Sequence, residues 1–292
     1  MRILVTGSNG FIGNYVGQTL AQSGHEVLGI DIASAAQDVF AGYYPVDITS
    51  KTDMESLSDT LGTLDAVVHC AAHINYDDTD SRLMQVNAVG TQNVVTLGKW
   101  VGCKRIIYCS SIAVIGIPKI LPITEEHPLA PQTMYHVSKL AGEYIVQASG
   151  IPHTILRIPS PIGLGMNLRT ILPAFVSRCV NGEDLILLGQ GTRKQNYIAV
   201  QDISRAVRMA LEGVHTNCYN LSSRLISNYD LACLCKTITH SCSVIAFSEQ
   251  ADPAEGQVWD ISSELIRQEL GFEPQIELES VIAELQKSLE RG

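Results

Sequence analysis

Tyr135 and Lys139 stand four residues apart in Met134-Tyr135-His136-Val137-Ser138-Lys139-Leu140-Ala141-Gly142-Glu143, a segment with helical periodicity. Side chains at i and i+4 share one face of a helix. An ammonium beside a phenol favours the phenolate and so lowers a pKa that is ordinarily about 10. A tyrosine tuned in this way exchanges a proton with a substrate hydroxyl. Val137, Ala141, Tyr144 and Ala148 form a separate apolar stripe. The helix is expected to pack on that stripe and to offer Tyr135 and Lys139 from another face. The spacing alone is common in helices that do no chemistry, so the surrounding elements must decide.

The first of those elements opens the chain. Arg2-Ile3-Leu4-Val5-Thr6 is an apolar run ending in Gly7-Ser8-Asn9-Gly10-Phe11-Ile12-Gly13, and a helical pattern follows through Ala21. Strand, glycine turn and helix in that order make a phosphate cradle. Glycines let the backbone approach a pyrophosphate, and the helix N-terminus supplies amide donors. The spacing is Gly-x-x-Gly-x-x-Gly rather than the Gly-x-Gly-x-x-Gly of the standard dinucleotide fingerprint. A second strand, Val27-Leu28-Gly29-Ile30, ends at Asp31. A carboxylate there accepts bonds from an adenosine ribose and repels a 2′-phosphate. No Arg or Lys occurs between Arg2 and Lys51, which points to NAD rather than NADP.

Further along, Gly42-Tyr43-Tyr44-Pro45-Val46 reads as a third strand, followed by Asp47 and Ile48. Asp47 suits either an adenine edge or the cap of a helix over 51–61. The fourth strand, Leu64 to His69, runs into Cys70-Ala71-Ala72-His73, where Ala71 and Ala72 leave room for a cofactor. His69 and His73 are four apart, but at a strand end, so a metal pair is not expected and core or loop histidines are. A long helix is predicted over 79–102, containing Asn87. The fifth strand, Arg105 to Cys109, ends in Ser110-Ser111, and the sixth covers His153 to Ile158. Hydroxyls at the carboxyl end of a parallel strand face the ligand crevice. Six alternations of strand and helix predict an α/β fold with a doubly wound parallel sheet.

Composition narrows the class. The chain has 292 residues, 46% hydrophobic and 17% charged, with a net charge of −10. That suits one large α/β unit, with or without a smaller lobe, and argues against nucleic acid as a partner. The eight cysteines are scattered with no Cys-x-x-Cys pair, so zinc ribbons and redox motifs are not expected, and those in apolar strand-like runs, such as Cys70 and Cys109, read as reduced core residues. Met1-Arg2 leads straight into a strand, and no run approaches the ~20 apolar residues of a membrane span. A soluble, cytoplasmic protein with no membrane partner is the expectation.

In order, these motifs resemble the extended short-chain dehydrogenase/reductase family of the NAD-dependent epimerase/dehydratase type. The segments are Thr6 to Gly13, Asp31, Asp47, His69-Cys70-Ala71-Ala72, Asn87-Ala88-Val89-Gly90-Thr91-Gln92-Asn93, Ser110-Ser111, Tyr135 with Lys139, and Asp260 to Pro274. The resemblance spans essentially the whole chain and implies a Rossmann-like sheet with a small C-terminal substrate lobe. It implies an NAD-binding unit over 1–160 with return segments near 195–222, and a lobe over 161–194 and 223–292. Gly7, Asn9, Gly10, Phe11, Ile12, Gly13, Asp31, Asp47, Ile48, Ala71, Ala72 and Asn87 would hold NAD, together with Tyr135 and Lys139. Tyr135 would be the acid/base, Lys139 would tune it and hold the nicotinamide ribose, and Ser111 would bond the reacting oxygen, with Ser110 as second choice. Homodimerisation through the helices over 79–102 and 134–149 is also implied.

The substrate half departs from the pattern. Ser160 and Ile162 replace the usual Asn and Tyr in Pro159-Ser160-Pro161-Ile162-Gly163. Gln195 aligns with the arginine that grips a nucleotide-sugar diphosphate, and Glu255 to Trp259 lacks the second clamp arginine. A neutral amide replaces a bidentate guanidinium poorly. Arg169, Arg193, Lys194 and Arg224 could compensate. Three readings follow. The first is an epimerase acting on a nucleotide-sugar-like substrate, with NAD as a retained hydride store. The second is an NAD-dependent dehydrogenase/reductase of another small alcohol or ketone. The third is a nonenzymatic NAD-sensing protein, disfavoured because Tyr135 and Lys139 are both present. A dehydratase would want acidic residues beside Ser111, and Ile112-Ala113 supplies none.

Overall fold

A computed structural model describes residues 1–34 and 39–290. Its centre is a seven-stranded sheet in which every pairing is parallel. The elements alternate: β1 (Arg2–Thr6), α1 (Phe11–Gln22), β2 (Glu26–Asp31), β3 (Gly42–Pro45), α2 (Lys51–Leu61) and β4 (Ala66–His69). A short α3 (Arg82–Met84), a π-helical turn over Gln85–Gly90 and α4 (Thr91–Trp100) come next. They are followed by β5 (Arg105–Ser111), a 3₁₀ turn at Ile112–Ile115, α5 (Met134–Gln147) and β6 (His153–Ile158). The 79–102 segment is therefore not one regular helix. It starts later and carries a π turn around Asn87.

Strand order is β10-β6-β5-β4-β1-β2-β3, where β10 is Asn217–Asn220. The chain builds outward from β1 through β2 and β3, then returns to β4 on the other side. The order reverses between β1 and β4, and the loops after those two strands open into a shared crevice. Period-2 alternation in β1 sends Ile3 and Val5 to one face and Leu4 to the other. Both faces are covered, so the strand is apolar throughout, as parallel sheets require. Val16 and Leu20 of α1 pack on the first face with Ile203 and Val207 of α7 (Val200–Glu212). Met54, Leu57, Val94, Leu97 and Val146 of α2, α4 and α5 pack on the second.

The remaining elements carry a core of their own. They are β7 (Ser160–Ile162), α6 (Ile171–Asn181), β8 (Leu185–Leu187), β9 (Lys194–Ala199), β11 (Arg224–Ser227), α8 (Asn228–Thr239), β12 (Ile245–Phe247) and α10 (Leu278–Leu289), whereas α9 (Glu264–Leu270) adds Ile266 to the first face of the main sheet. Strands β11, β9 and β7 form a small mixed sheet. Phe175, Val176, Tyr197, Leu231 and Ile282 pack over it. No helix among the described residues is long and apolar enough to cross a membrane.

The packing of α5 reverses the expectation for its apolar stripe. Val137 and Tyr144 are 39% and 59% exposed, whereas Ser138, Lys139, Gly142, Glu143 and Val146 are buried. The inner face carries polar groups because each finds a partner on β5, β6 or the π turn. Gly142 sets the approach. A Cβ there would lie 2.1 Å from the Tyr108 hydroxyl oxygen on β5.

Candidate active site

The glycine turn fits a pyrophosphate by its own geometry. Gly7 has φ +64, and a Cβ there would meet the Ala71 backbone at 2.7 Å. A Cβ on Gly13 would lie 2.0 Å from the Gly7 carbonyl oxygen. Only glycine folds the turn this tightly. Gly10 caps α1 without a side chain, so the first amides of the helix face no competing cap. Asp31 ends β2, and its carboxylate accepts the Asn9 amide at 3.0 Å, which ties the strand end to the turn. Phe11 stacks edge-on with Tyr15 and lies close to Gly163 and Gly165 beyond β7. Ile12 packs against the α1 face of the sheet. These residues suit a bound dinucleotide.

Asp47 accepts both the amide and the hydroxyl of Thr49 at 2.8 Å through Oδ1, while Ser50 provides the cap of α2. Ile48 is buried, and its side chain meets the π turn at Gly90. Ala71 and Ala72 lie just past β4, and the Ala71 amide donates to the Thr6 hydroxyl at 3.1 Å.

Tyr135 sits in the first turn of α5. Thr133 caps that helix by accepting the His136 amide, and Asp78 accepts the Met134 amide at 2.7 Å. Lys139 lies one turn on and is 2% exposed. Its ammonium donates to the Cys109 carbonyl at 2.8 Å and stands 4.3 Å over the Tyr108 ring. Burial pushes the Tyr135 phenol up, while the Lys139 ammonium and the Ser111 hydroxyl pull it down. Burial also holds Lys139 below the usual ammonium range, against the raising influence of Tyr135, Cys109 and Glu143. In this environment burial outweighs the lysine, so the phenol is not the low-pKa group its spacing predicts. Ser111, at the end of β5, accepts the Ala113 amide at 3.2 Å and is in reach of Tyr135.

Ser110 does not share that position. It is 4% exposed, and its hydroxyl donates to Glu143 at 2.6 Å. Glu143 in turn accepts two bonds from Arg157, at 3.1 and 2.8 Å, in a pair buried from solvent. Ser110 is thus engaged with an internal ion pair. Ser160 lies on β7, Gln195 on β9 and Arg169 on an exposed loop, so the three come from separate elements.

A polar chain behind the site escapes a motif-by-motif reading. The Thr91 hydroxyl donates to the Asn87 carbonyl at 2.7 Å and must therefore accept from His69 Nε2, 2.9 Å away. His69 Nδ1 then accepts from Thr6 at 2.6 Å. This fixes the tautomer, and burial lowers the imidazole to about 3, which keeps it neutral. Asn87 donates to the Ser138 hydroxyl at 2.9 Å, and Ser138 donates to the Tyr135 carbonyl at 2.8 Å. The glycine strand and the Tyr135 helix are joined through these bonds. His73 meets Asp80 at 2.8 Å instead of pairing with His69. The sequence signal was present in Thr6, His69, Thr91 and Ser138, but their partners lie up to 63 residues away.

The family model for the NAD dependent epimerase/dehydratase family matches residues 3–222. The chain belongs to that family. It is an enzyme of this family and its cofactor is NAD. A UDP-glucose 4-epimerase of Corynebacterium glutamicum is 28% identical over 307 residues, covering 94% of this chain and 91% of that protein. UDP-glucuronic acid decarboxylase 1 of Xenopus tropicalis is 26% identical, covering 95% of this chain and 69% of that protein. Among solved structures, the UDP-glucose 4-epimerase of Thermotoga maritima with UDP-glucose superposes with a TM-score of 0.90 at 23% identity, covering 100% and 99% of the two chains. The fold of this family member is therefore the epimerase fold. Its relatives run more than one reaction on it, so the reaction must be argued from the site.

Proposed function

We propose that this protein is a nucleotide-sugar epimerase that works by transient hydride transfer, with Tyr135 as acid/base. The observation that supports the reading is that Lys139, one turn from Tyr135 on α5, is anchored on the Cys109 carbonyl of β5, the strand that ends at Ser111. Bound NAD supplies a hydride acceptor and, in its oxidised form, a positive ring that favours the phenolate. Tyr135 takes the proton from a sugar hydroxyl as its carbon is oxidised, and returns it after the ketone has presented its other face. Ser111 bonds the reacting oxygen. Lys139 lowers the phenol against the effect of burial and holds the ribose. Asp31 receives the adenosine ribose, and Asp47 with Ile48 borders the adenine.

In this reading the NAD-binding unit covers 1–160 with the 195–222 return, and the segments 161–194 and 223–292 enclose the substrate. Ser160, Gln195 and Arg169 line that side. A cleft of about 300 Å³ between Pro118 and Leu121 and the 255–258 loop offers Glu255 and Gln257 but no arginine. The enzyme works in the cytoplasm as a homodimer, with Val89, Val137 and Tyr144 on the paired helices covered by a second copy. The test is to incubate the purified protein with UDP-glucose and with UDP-glucuronic acid and to follow the C4 epimers. A denatured sample should release about one NAD per chain. Formation of neither epimer would remove these two substrates, and an empty cofactor site would favour the dehydrogenase reading instead.

A further inference from the structure

Eight cysteines are present as free thiols, and two of them meet. Cys70 follows the last residue of β4, and Cys109 lies on β5. The register pairs His69 with Tyr108, so the two cysteines are opposite one another. Their sulfurs are 3.5 Å apart. Cys109 is 6% exposed, and Cys70 is half-buried. The proposed chemistry uses neither sulfur.

Their backbones are closely engaged with the cofactor crevice. The Cys109 carbonyl anchors the Lys139 ammonium at 2.8 Å. The Cys70 carbonyl carbon would stand 3.1 Å from a Cβ on Gly7, so the chain at Cys70 lies against the glycine turn. Any movement that draws the two sulfurs together pulls on both contacts.

We propose that Cys70 and Cys109 are a peroxide-responsive pair that closes to a disulfide across the ends of β4 and β5 and weakens the binding of NAD. The electrostatics suit the first step. Either thiol can donate to the other across this contact, and the Lys139 ammonium, held on the Cys109 carbonyl, favours a thiolate at Cys109. The Cys109 thiolate attacks hydrogen peroxide. An S–O bond forms, the O–O bond breaks, and hydroxide leaves and is protonated to water. The Cys70 sulfur then attacks the sulfenic acid. The S–S bond forms, the S–O bond breaks, and a second water leaves with the Cys70 proton. Two thiols are oxidised by two electrons, and one peroxide is reduced.

The test treats the folded protein with hydrogen peroxide, removes excess oxidant, and measures intact mass, peptide map and NAD affinity by fluorescence titration. The expected product is lighter by the mass of two hydrogen atoms and yields a linked Cys70–Cys109 peptide. Its NAD affinity falls roughly tenfold, the scale of one misplaced charge-assisted hydrogen bond. Dithiothreitol restores the affinity. Cys70→Ser binds NAD like the untreated protein and keeps that affinity after peroxide. Cys70→Ala serves as the second variant if the serine disturbs folding. Recovery of both residues as free thiols, or as separate sulfinic acids, overturns the proposal. So does a linked peptide with unchanged NAD affinity.

Discussion

His69 donates to the Thr91 hydroxyl at 2.9 Å, and this bond joins β4 to the helix that follows the π turn. The imidazole is buried and lowered to about 3 by desolvation, with Lys139 adding to the effect. Between that value and the ordinary 6.5, the unfolded chain binds a proton that the native chain does not. Stability therefore rises with pH across this window and is lost as pH falls through about 6.5. At pH 5 the linkage costs about 2 kcal/mol. Urea unfolding at pH 7 and pH 5 checks this. His69→Asn should flatten the difference, and an unchanged slope would mean that His69 does not set it.

The Glu143–Arg157 pair is closed to solvent and also receives Ser110. Glu143→Gln leaves the guanidinium without its counter-charge. Removing one partner of such a pair costs about 3–5 kcal/mol. A double variant, Glu143→Gln with Arg157→Met, should be more stable than Glu143→Gln alone. Chemical denaturation of the unaltered protein, Glu143→Gln, Arg157→Met and the double variant tests the coupling, and additive losses would show that the two side chains act separately.

Asp31 ties its carboxylate to the glycine turn, and in the proposed mechanism it receives the adenosine ribose. The purified protein should bind NAD at least roughly tenfold tighter than NADP, or about 1.4 kcal/mol. Asp31→Ser should narrow that ratio by weakening NAD and relieving repulsion toward the 2′-phosphate. Equal affinities in the unaltered protein would remove the role assigned to this carboxylate.

Val137 and Tyr144 make an exposed apolar stripe on α5, and Val89 on the π turn is exposed as well. Covering it with a second copy would bury apolar area now in water. Sedimentation should show a dimer, and Tyr144→Glu should shift it toward monomer. A monomer in the unaltered protein would leave the stripe unexplained by self-association.

The sheet was legible in the chain because its signals are local. Ile3 to Thr6 and Ala66 to His69 are apolar on both faces, and Gly7 and Gly13 mark the turn where a Cβ has no room. The pairing of Tyr135 with Lys139 was legible for the same reason, since one helical turn separates them. The orientation of α5 was not. Lys139 and Glu143 face inward because the Cys109 carbonyl and Arg157 meet them there, and such partners are fixed by tertiary packing. Ser111 and, as second choice, Ser110 were both candidates for the reacting oxygen. Period-2 alternation at the end of β5 turns one toward Glu143 and leaves the other near Tyr135. Nor does periodicity reveal the π turn that brings Asn87 to Ser138.

In the proposed mechanism Tyr135 moves the proton while NAD is held by other contacts. The direct measurement is turnover of the nucleotide sugar by Tyr135→Phe, with bound NAD determined on the same sample. The variant should retain NAD and lose roughly 10²–10⁴-fold in kcat, the usual contribution of a positioned acid/base. A rate equal to that of the unaltered enzyme, with NAD still bound, would contradict the account.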